Sequence, residues 1–428
     1  MKSRSVLVPR HLLVPFVLVT TLFALWGFAN DITNPMVSAF KKVLELDNFQ
    51  ASWVQLVFYL GYGTMALPAA WFIKRYSYRR GVIIGLGLYA TGALLFYPAA
   101  ATESYGFFLA ALYILTFGLA FLETTANPYI LSMGPRKTAI RRLNLAQAFN
   151  PMGALGGLFV AQIFILGSLQ SDDLGAKEYG NLPETVKAGI RASDLMVIRN
   201  PYVILGIVVL IMLLLFVVIR MPENKEEGTD SMWDSIRRLW AQKKFAGGVI
   251  AQMFYVGAQI MCWTYVYQYA ESIGIPNQQG AYYGIAGTIV FLVGRWVCTL
   301  LLSYFTSAQL LRYFAIGAMG ASLGAIFLVG QAGLYSLVGI SFFMSLMFPT
   351  IYGIALEGQG EDAKFGAAFL IMAIVGGALM PTLQGLILDL GGAGYTDIHI
   401  LGVPEVNFSF VLPLLCFVVV WGYGKMVE

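Results

Sequence analysis

An all-α membrane protein, twelve transmembrane helices in two six-helix bundles, is the fold class predicted by three features of this 428-residue sequence. Only 12 % of the residues are charged while 58 % are hydrophobic, about half the charge a soluble domain carries. The apolar stretches run unbroken, as in Tyr202–Ile219 and Phe410–Trp421, whereas membrane-spanning β-strands alternate polar and apolar residues. Cutting the chain at its charged and turn-rich clusters leaves about twelve segments, most of them near the ~20 residues that cross a bilayer as a helix.

In order, the segments are predicted over 12–40, 51–73, 81–100, 105–133, 143–168, 201–219, 246–270, 280–303, 309–330, 333–356, 365–390 and 407–424. The widest hydrophilic connections are 169–200 and 220–245, and the second separates two sets of six. The organisation that follows is an N-terminal bundle over 1–220, a cytoplasmic linker over 221–245 and a C-terminal bundle over 246–428. Within the linker, Met232, Trp233, Ile236, Leu239 and Trp240 fall among Arg237, Arg238, Lys243 and Lys244, the pattern of a short helix lying at the inner lipid surface. A local repeat links the halves. Asn127-Pro128-Tyr129-Ile130 precedes Gly153-Ala154-Leu155, and Phe348-Pro349-Thr350-Ile351 precedes Gly377-Ala378-Leu379, each pair with a charged loop between. Such duplication suits a transporter built from parallel repeats.

Lys and Arg set the orientation. With both termini inside, twenty of the 27 basic residues fall on cytoplasmic segments and six on external ones, leaving Arg295 within a span. A bacterial cytoplasmic (inner) membrane is the expected location, and the lipid bilayer the expected surrounding. The first apolar run lacks a small-residue cleavage site, so no cleaved signal is expected. Cys262, Cys298 and Cys416 lie in apolar runs and read as free thiols. Basic residues confined to short loops give no nucleic-acid surface. No phosphate-cradling Gly-Lys-Ser/Thr loop is present, and His11 and His399 are too few and too distant to suggest a metal site. The expectation is a protein that is not an enzyme, holds no cofactor or metal, and works as a monomer.

Ionisable side chains near mid-bilayer are costly and mark function by default. Asp31, Glu123 and Arg295 lie well inside the predicted spans. Asp31 belongs to Ala29-Asn30-Asp31-Ile32-Thr33-Asn34-Pro35, where Pro35 removes a backbone donor, and it shares a face with Asn34 three residues on. Glu123 shares a face with Asn127. Asn144, Gln147 and Asn150 recur every three residues in the fifth segment. No Lys or Arg lies deep in the first six spans to neutralise the two acids. A carboxyl that is neutral when closed off from water and ionised when wet carries a proton. Two other readings stay open: Glu123 as a protonated structural donor, and Asp31 as a hydrated acid capping a broken helix.

In the second half, Gln252, Tyr255, Gln259 and Trp263 share one face of the seventh segment. Amides beside aromatic rings suit a sugar, whose hydroxyls take hydrogen bonds while its C–H face packs on a ring. Helix packing is the other reading of Gln259. Trp26, Tyr59 and Tyr62 are similar candidates, the two tyrosines being three residues apart on one face. Arg295 is either a structural cation or a ligand, at a depth similar to that of Glu123.

At these residues the sequence resembles the L-fucose/proton symporter family of the major facilitator superfamily. Asn48-Phe49-Gln50-Ala51 with Phe58-Tyr59-Leu60-Gly61-Tyr62 is similar to the family's second segment, and Leu122-Glu123-Thr124-Thr125-Ala126-Asn127-Pro128 to its fourth. Arg142-Leu143-Asn144-Leu145-Ala146-Gln147-Ala148-Phe149-Asn150 resembles the fifth, and Tyr255-Val256-Gly257-Ala258-Gln259 with Cys262-Trp263 the seventh. The resemblance implies a six-plus-six transporter working by alternating access, with coupling acids in the first and fourth spans and sugar contacts from the fifth. Glu123, Gln147 and Asn150 match those positions. Asn34 stands where the family's first-span Asp is expected, with Asp31 one turn earlier, and Phe348 stands where a Tyr is common.

The functional expectation is proton-coupled symport of a neutral monosaccharide of the fucose, galactose or glucose type. Proton coupling is assigned to Glu123 and Asp31. Substrate contacts are assigned to Gln147, Asn150, Gln259, Trp263, Asn34, Asn127, Tyr59 and Tyr62. Na⁺-coupled or uncoupled sugar transport is the alternative, and a non-transporting membrane sensor a more distant one.

Overall fold

The computed structural model describes residues 6–33, 40, 43–46, 48–165, 168–170, 182–219, 221–222, 231–275, 277–328, 330–388, 390 and 398–428. Among them, twelve helical segments are long and apolar enough to cross a membrane: Arg10–Thr33, Trp53–Arg75, Tyr78–Ala101, Tyr105–Ser132, Arg136–Ile165, Glu184–Val218, Lys243–Ser272, Tyr282–Leu301, Ser307–Phe327, Gln331–Leu356, Gly360–Leu388 and Glu405–Met426. The expected all-α class and the number of spans both hold.

Large apolar side chains remain uncovered along these helices, among them Ile204, Ile211, Leu214 and Val218 of the sixth span. A soluble monomer rarely leaves so continuous an apolar surface open. Lipid is the solvent that fits it, since a helix satisfies its own backbone groups in hydrocarbon.

Several spans differ from the sequence expectation in local form. The sixth helix begins at Glu184, well before the predicted start at 201. Its first turns carry Lys187, Arg191, Asp194 and Arg199, which hide the helical continuation from an apolar-run reading. Those charges are engaged. Asp194, fully buried, accepts from the Gln170 backbone N–H at 2.8 Å, and Lys187 Nζ pairs with Glu45 at 3.0 Å. The fifth span is a helix over Ala139–Gln147 and a second over Asn150–Val160, with Pro151 inside the first turn of the latter. The tenth is likewise interrupted between Met344 and Met347. Beyond the helices, β1 (His399–Ile400) pairs antiparallel with β2 (Val403–Pro404), His399 opposite Pro404. Leu401 and Gly402 both have positive φ there, 53° and 81°, which a two-residue hairpin turn requires.

By packing, the chain divides into two compact units: a C-terminal unit of Met1–Leu12, Asn127–Ala148 and Gly228–Glu428, and an N-terminal unit of Leu13–Ala126 and Phe149–Glu227. In the N-terminal unit, the first span packs against Asn150–Val160 at backbone contact. A Cβ on Gly153 would lie 1.9 Å from the Ala24 carbonyl oxygen, and one on Gly157 2.5 Å from that of Phe28. The Gly153-to-Gly157 spacing is the small-residue stripe that lets membrane helices approach closely. Tyr202 stacks on Phe96 with centroids 3.9 Å apart, and its hydroxyl meets Thr33 Oγ1 at 3.1 Å.

The C-terminal unit has an apolar core that includes Tyr255, Tyr269, Phe314, Ile340 and Phe417. Its ninth span starts with a capping box, Thr306 and Gln309 exchanging bonds with each other's backbone. The linker segment Met232–Ala241 is helical, as its pattern predicts. Leu239 is buried and Trp233 exposed, and Arg238 makes a two-pronged bond to Asp362 at 2.8 and 2.9 Å. All three cysteines are free and buried.

Candidate substrate and proton site

In the N-terminal unit, Glu123 sits in the fourth span, Tyr105–Ser132, and is 5 % exposed. Tyr62, from Asn48–Arg75 and 2 % exposed, donates its hydroxyl to Glu123 Oε1 at 2.6 Å. A carboxyl group so enclosed in an apolar helix needs hydrogen-bond partners within the protein. Tyr62 supplies one donor. Phe58 packs against both Tyr59 and Tyr62, with centroids 5.9 and 5.5 Å away. Asp31 is half-buried near the end of the first helix. Glu123 and Tyr62 thus make an acid–phenol pair between the fourth and second spans. Trp26 is buried against Phe23, centroids 4.1 Å apart. Asn150 Nδ2 donates to the Phe23 carbonyl at 3.3 Å. Asn34 lies outside the described residues.

In the C-terminal unit, Asn127, Gln147 and Arg295 are all at most 5 % exposed. Gln147 Nε2 donates to Asn127 Oδ1 at 2.8 Å. Arg295 NH1 donates to Gln147 Oε1 at 3.2 Å and to the Gln147 carbonyl at 3.3 Å. The Arg295 guanidinium lies 4.8 Å from the centre of the Phe291 ring, and Phe291 meets Trp263 edge-on at 5.1 Å. Trp263 Nε1 donates to Ser341 Oγ at 3.3 Å, and a small cleft opens there between Cys262, Trp263, Tyr283, Gly287, Leu337 and Ser341.

The expected polar stripes are only partly kept together. Asn144, Gln147 and Asn150 follow one another at threes, but the helix is interrupted after Gln147 and each amide takes a different partner. Asn144 Nδ2 bonds to the Ile140 carbonyl and to Thr350 Oγ1, at 3.0 and 3.2 Å. On the seventh span, Gln252 and Tyr255 are fully buried whereas Gln259 and Trp263 are half-buried. Only the latter two keep open surface for a ligand. Phe348 meets Tyr255 edge-on at 6.3 Å and stacks with Tyr352.

One functional group was hidden from sequence reasoning. Arg142 reads as a loop charge, yet it is fully buried and donates to the carbonyls of Ile130, Leu131 and Leu7 at 2.7, 2.6 and 3.0 Å. It closes the C-terminal end of the fourth span, where helix carbonyls have no intrahelical partner. The signal available in the sequence was its place ten residues after Ser132, the last residue of that helix.

Residues 18–383 match the family model described as Major Facilitator Superfamily. The L-fucose-proton symporter of Haemophilus influenzae is 53 % identical over 420 residues, covering 97 % of this chain and 96 % of that protein. The L-fucose-proton symporter of Escherichia coli is 35 % identical over 426 residues, covering 97 % and 93 %. Among solved structures, the transporter FucP in an outward conformation superposes with a TM-score of 0.88 at 33 % identity, covering 98 % of this chain and 100 % of that one. With twelve apolar helices carrying buried acids and amides, and with relatives matched over nearly their whole length, this chain is a multi-pass membrane protein and belongs to the Major Facilitator Superfamily.

Proposed function

We propose that this protein takes up a neutral monosaccharide together with a proton, by alternating access between two six-helix halves, and that L-fucose is its sugar. The observation that carries this reading is Glu123, an acid 5 % exposed within a membrane helix and bonded to Tyr62. The names of the two relatives, both L-fucose-proton symporters, support the choice of ion and sugar.

In this mechanism Glu123 takes a proton when the cavity is open to the outside, stays neutral while water is excluded, and releases the proton when the cavity opens to the inside. Neutral passage avoids the cost of moving a bare carboxylate through a low-dielectric interior. Asp31 shapes the outer end of the path. Gln147, Asn150 and Gln259 bond sugar hydroxyls, Asn127 supports Gln147, and Trp263 packs on the ring. Each proton falling through a membrane potential releases about 2.3 kcal/mol per 100 mV, while tenfold accumulation of a neutral sugar costs about 1.4 kcal/mol. One proton per sugar is therefore enough to concentrate the sugar more than tenfold.

The protein works as a monomer in the bacterial inner membrane with both termini in the cytoplasm. This orientation follows from the excess of Lys and Arg on the inner segments.

L-Fucose added to de-energised, lightly buffered cells making this protein is expected to alkalinise the medium as protons enter with the sugar. The same signal is expected when external Na⁺ is replaced by choline. Alkalinisation evoked by D-galactose or D-glucose and not by L-fucose would reassign the sugar, and a signal that needs Na⁺ would reassign the ion.

A further inference from the structure

Arg295 is a cation held at 3 % exposure in a membrane-spanning helix. Among the described residues no acidic side chain forms an ion pair with it, and its Nε has no hydrogen-bond partner there. A buried charge without a counter-charge costs several kcal/mol, so the position needs a reason.

The reason lies in what Arg295 does to its neighbour. NH1 donates to both oxygens of Gln147, at 3.2 Å to Oε1 and 3.3 Å to the backbone. Gln147 Nε2 then donates to Asn127 Oδ1 at 2.8 Å. A glutamine amide on its own presents oxygen or nitrogen equally well by a half-turn of its end group. A guanidinium has donors only, so beside Arg295 the amide is held with its oxygen toward the charge and its nitrogen away. Charge-assisted bonds are about twice as strong as neutral ones, which makes the orientation firm. The polarity of the chain Arg295–Gln147–Asn127 is thereby fixed, and the group that Gln147 turns away from the cation and has not yet used is its second N–H.

We propose that Arg295 is a positioning residue for sugar recognition, which fixes the Gln147 amide so that it presents an N–H donor to a hydroxyl oxygen of the sugar. This role rests on the reading of Gln147 as a sugar contact. It also explains why a cation is used where an apolar residue would cost less to bury: an apolar side chain leaves the amide free to turn.

A double-mutant cycle on the purified full-length protein, with L-fucose as probe and binding read by calorimetry, tests the assignment. Arg295→Met is expected to weaken binding about tenfold in the parent protein and less than about twofold in a Gln147→Ala background, since contacting residues couple whereas independent ones add. Arg295→Lys, still a pure donor, is expected to stay within about threefold of the parent, whereas Arg295→Gln, which donates and accepts, falls as far as Met. If Arg295→Met does not elute as a monodisperse protein, the Lys and Gln variants carry the test. Penalties that add in full, or a Gln variant that binds as well as the Lys variant, overturn the assignment while leaving the transport function standing. An unmodified protein that binds no L-fucose overturns the functional reading, and the assignment with it.

Discussion

Glu123 and Tyr62 form the contact on which proton coupling turns. Their bond, 2.6 Å from the tyrosine hydroxyl to Oε1, gives the acid a donor inside an otherwise apolar stretch. Tyr62→Phe removes that donor at a cost of about 1–3 kcal/mol. Proton-dependent uptake is expected to fall at least about tenfold while the L-fucose Kd stays within about twofold. Uptake at the parent rate would contradict a role for Tyr62. Glu123 itself was legible in the sequence because a lone carboxylate in an apolar run stands out. Gln147 and Asn127 were legible for the same reason, as amides at helical spacing. Tyr62 as the partner of Glu123 was only a weak candidate, because an aromatic residue in a membrane helix is more often a packing group, and pairing across 61 positions is a tertiary fact. Arg295 was visible as an oddity, but its bond to Gln147 depends on how two distant helices meet.

Between residue and molecule, the helices are positioned by backbone contacts and by one buried cation. The first span meets Asn150–Val160 so closely that Gly153 has no room for a methyl group. Gly153→Ala is expected to lower the thermal unfolding temperature in detergent by several degrees, as overpacking costs about 1–3 kcal/mol. Gly189→Ala, in a helix and at a position with open space around it, serves as the control and is expected to leave it unchanged or raise it slightly, since Ala is the better helix former. Arg142 is the second fixed point. Arg142→Ala leaves the carbonyls of Ile130 and Leu131 without that donor, at about 1–3 kcal/mol for each buried group, so its loss of stability should exceed that of Arg141→Ala, whose guanidinium is half-buried and bonds one carbonyl, that of Thr299. Equal melting temperatures for the two variants would contradict this. Charge counting treated both arginines alike, because composition near a span end does not reveal which side chain folds back under the helix. The early start of the sixth helix escaped the sequence for a related reason: hydropathy reports where lipid is, and a helix that continues past the apolar zone leaves no hydropathy signal.

For the molecule as a whole, the class and the number of helices followed from continuous apolar runs, since each run has to satisfy its backbone within itself. Their ends did not follow, because termini are set by caps and breaks such as those at Thr306 and Ala148. The orientation is open to a direct check. A green fluorescent protein fused to the C-terminus is expected to fluoresce, as it does in the cytoplasm and not after export across the inner membrane, whereas a dark fusion in cells that still transport would reverse the assignment.

The claim that Glu123 carries the proton is tested most directly by Glu123→Gln in proteoliposomes, in two assays on one preparation. Exchange of labelled for unlabelled L-fucose across the membrane needs the sugar to cross but no net proton movement, and is expected to persist. Accumulation driven by an imposed proton gradient is expected to disappear. A Gln variant that still concentrates L-fucose against its gradient would contradict the account.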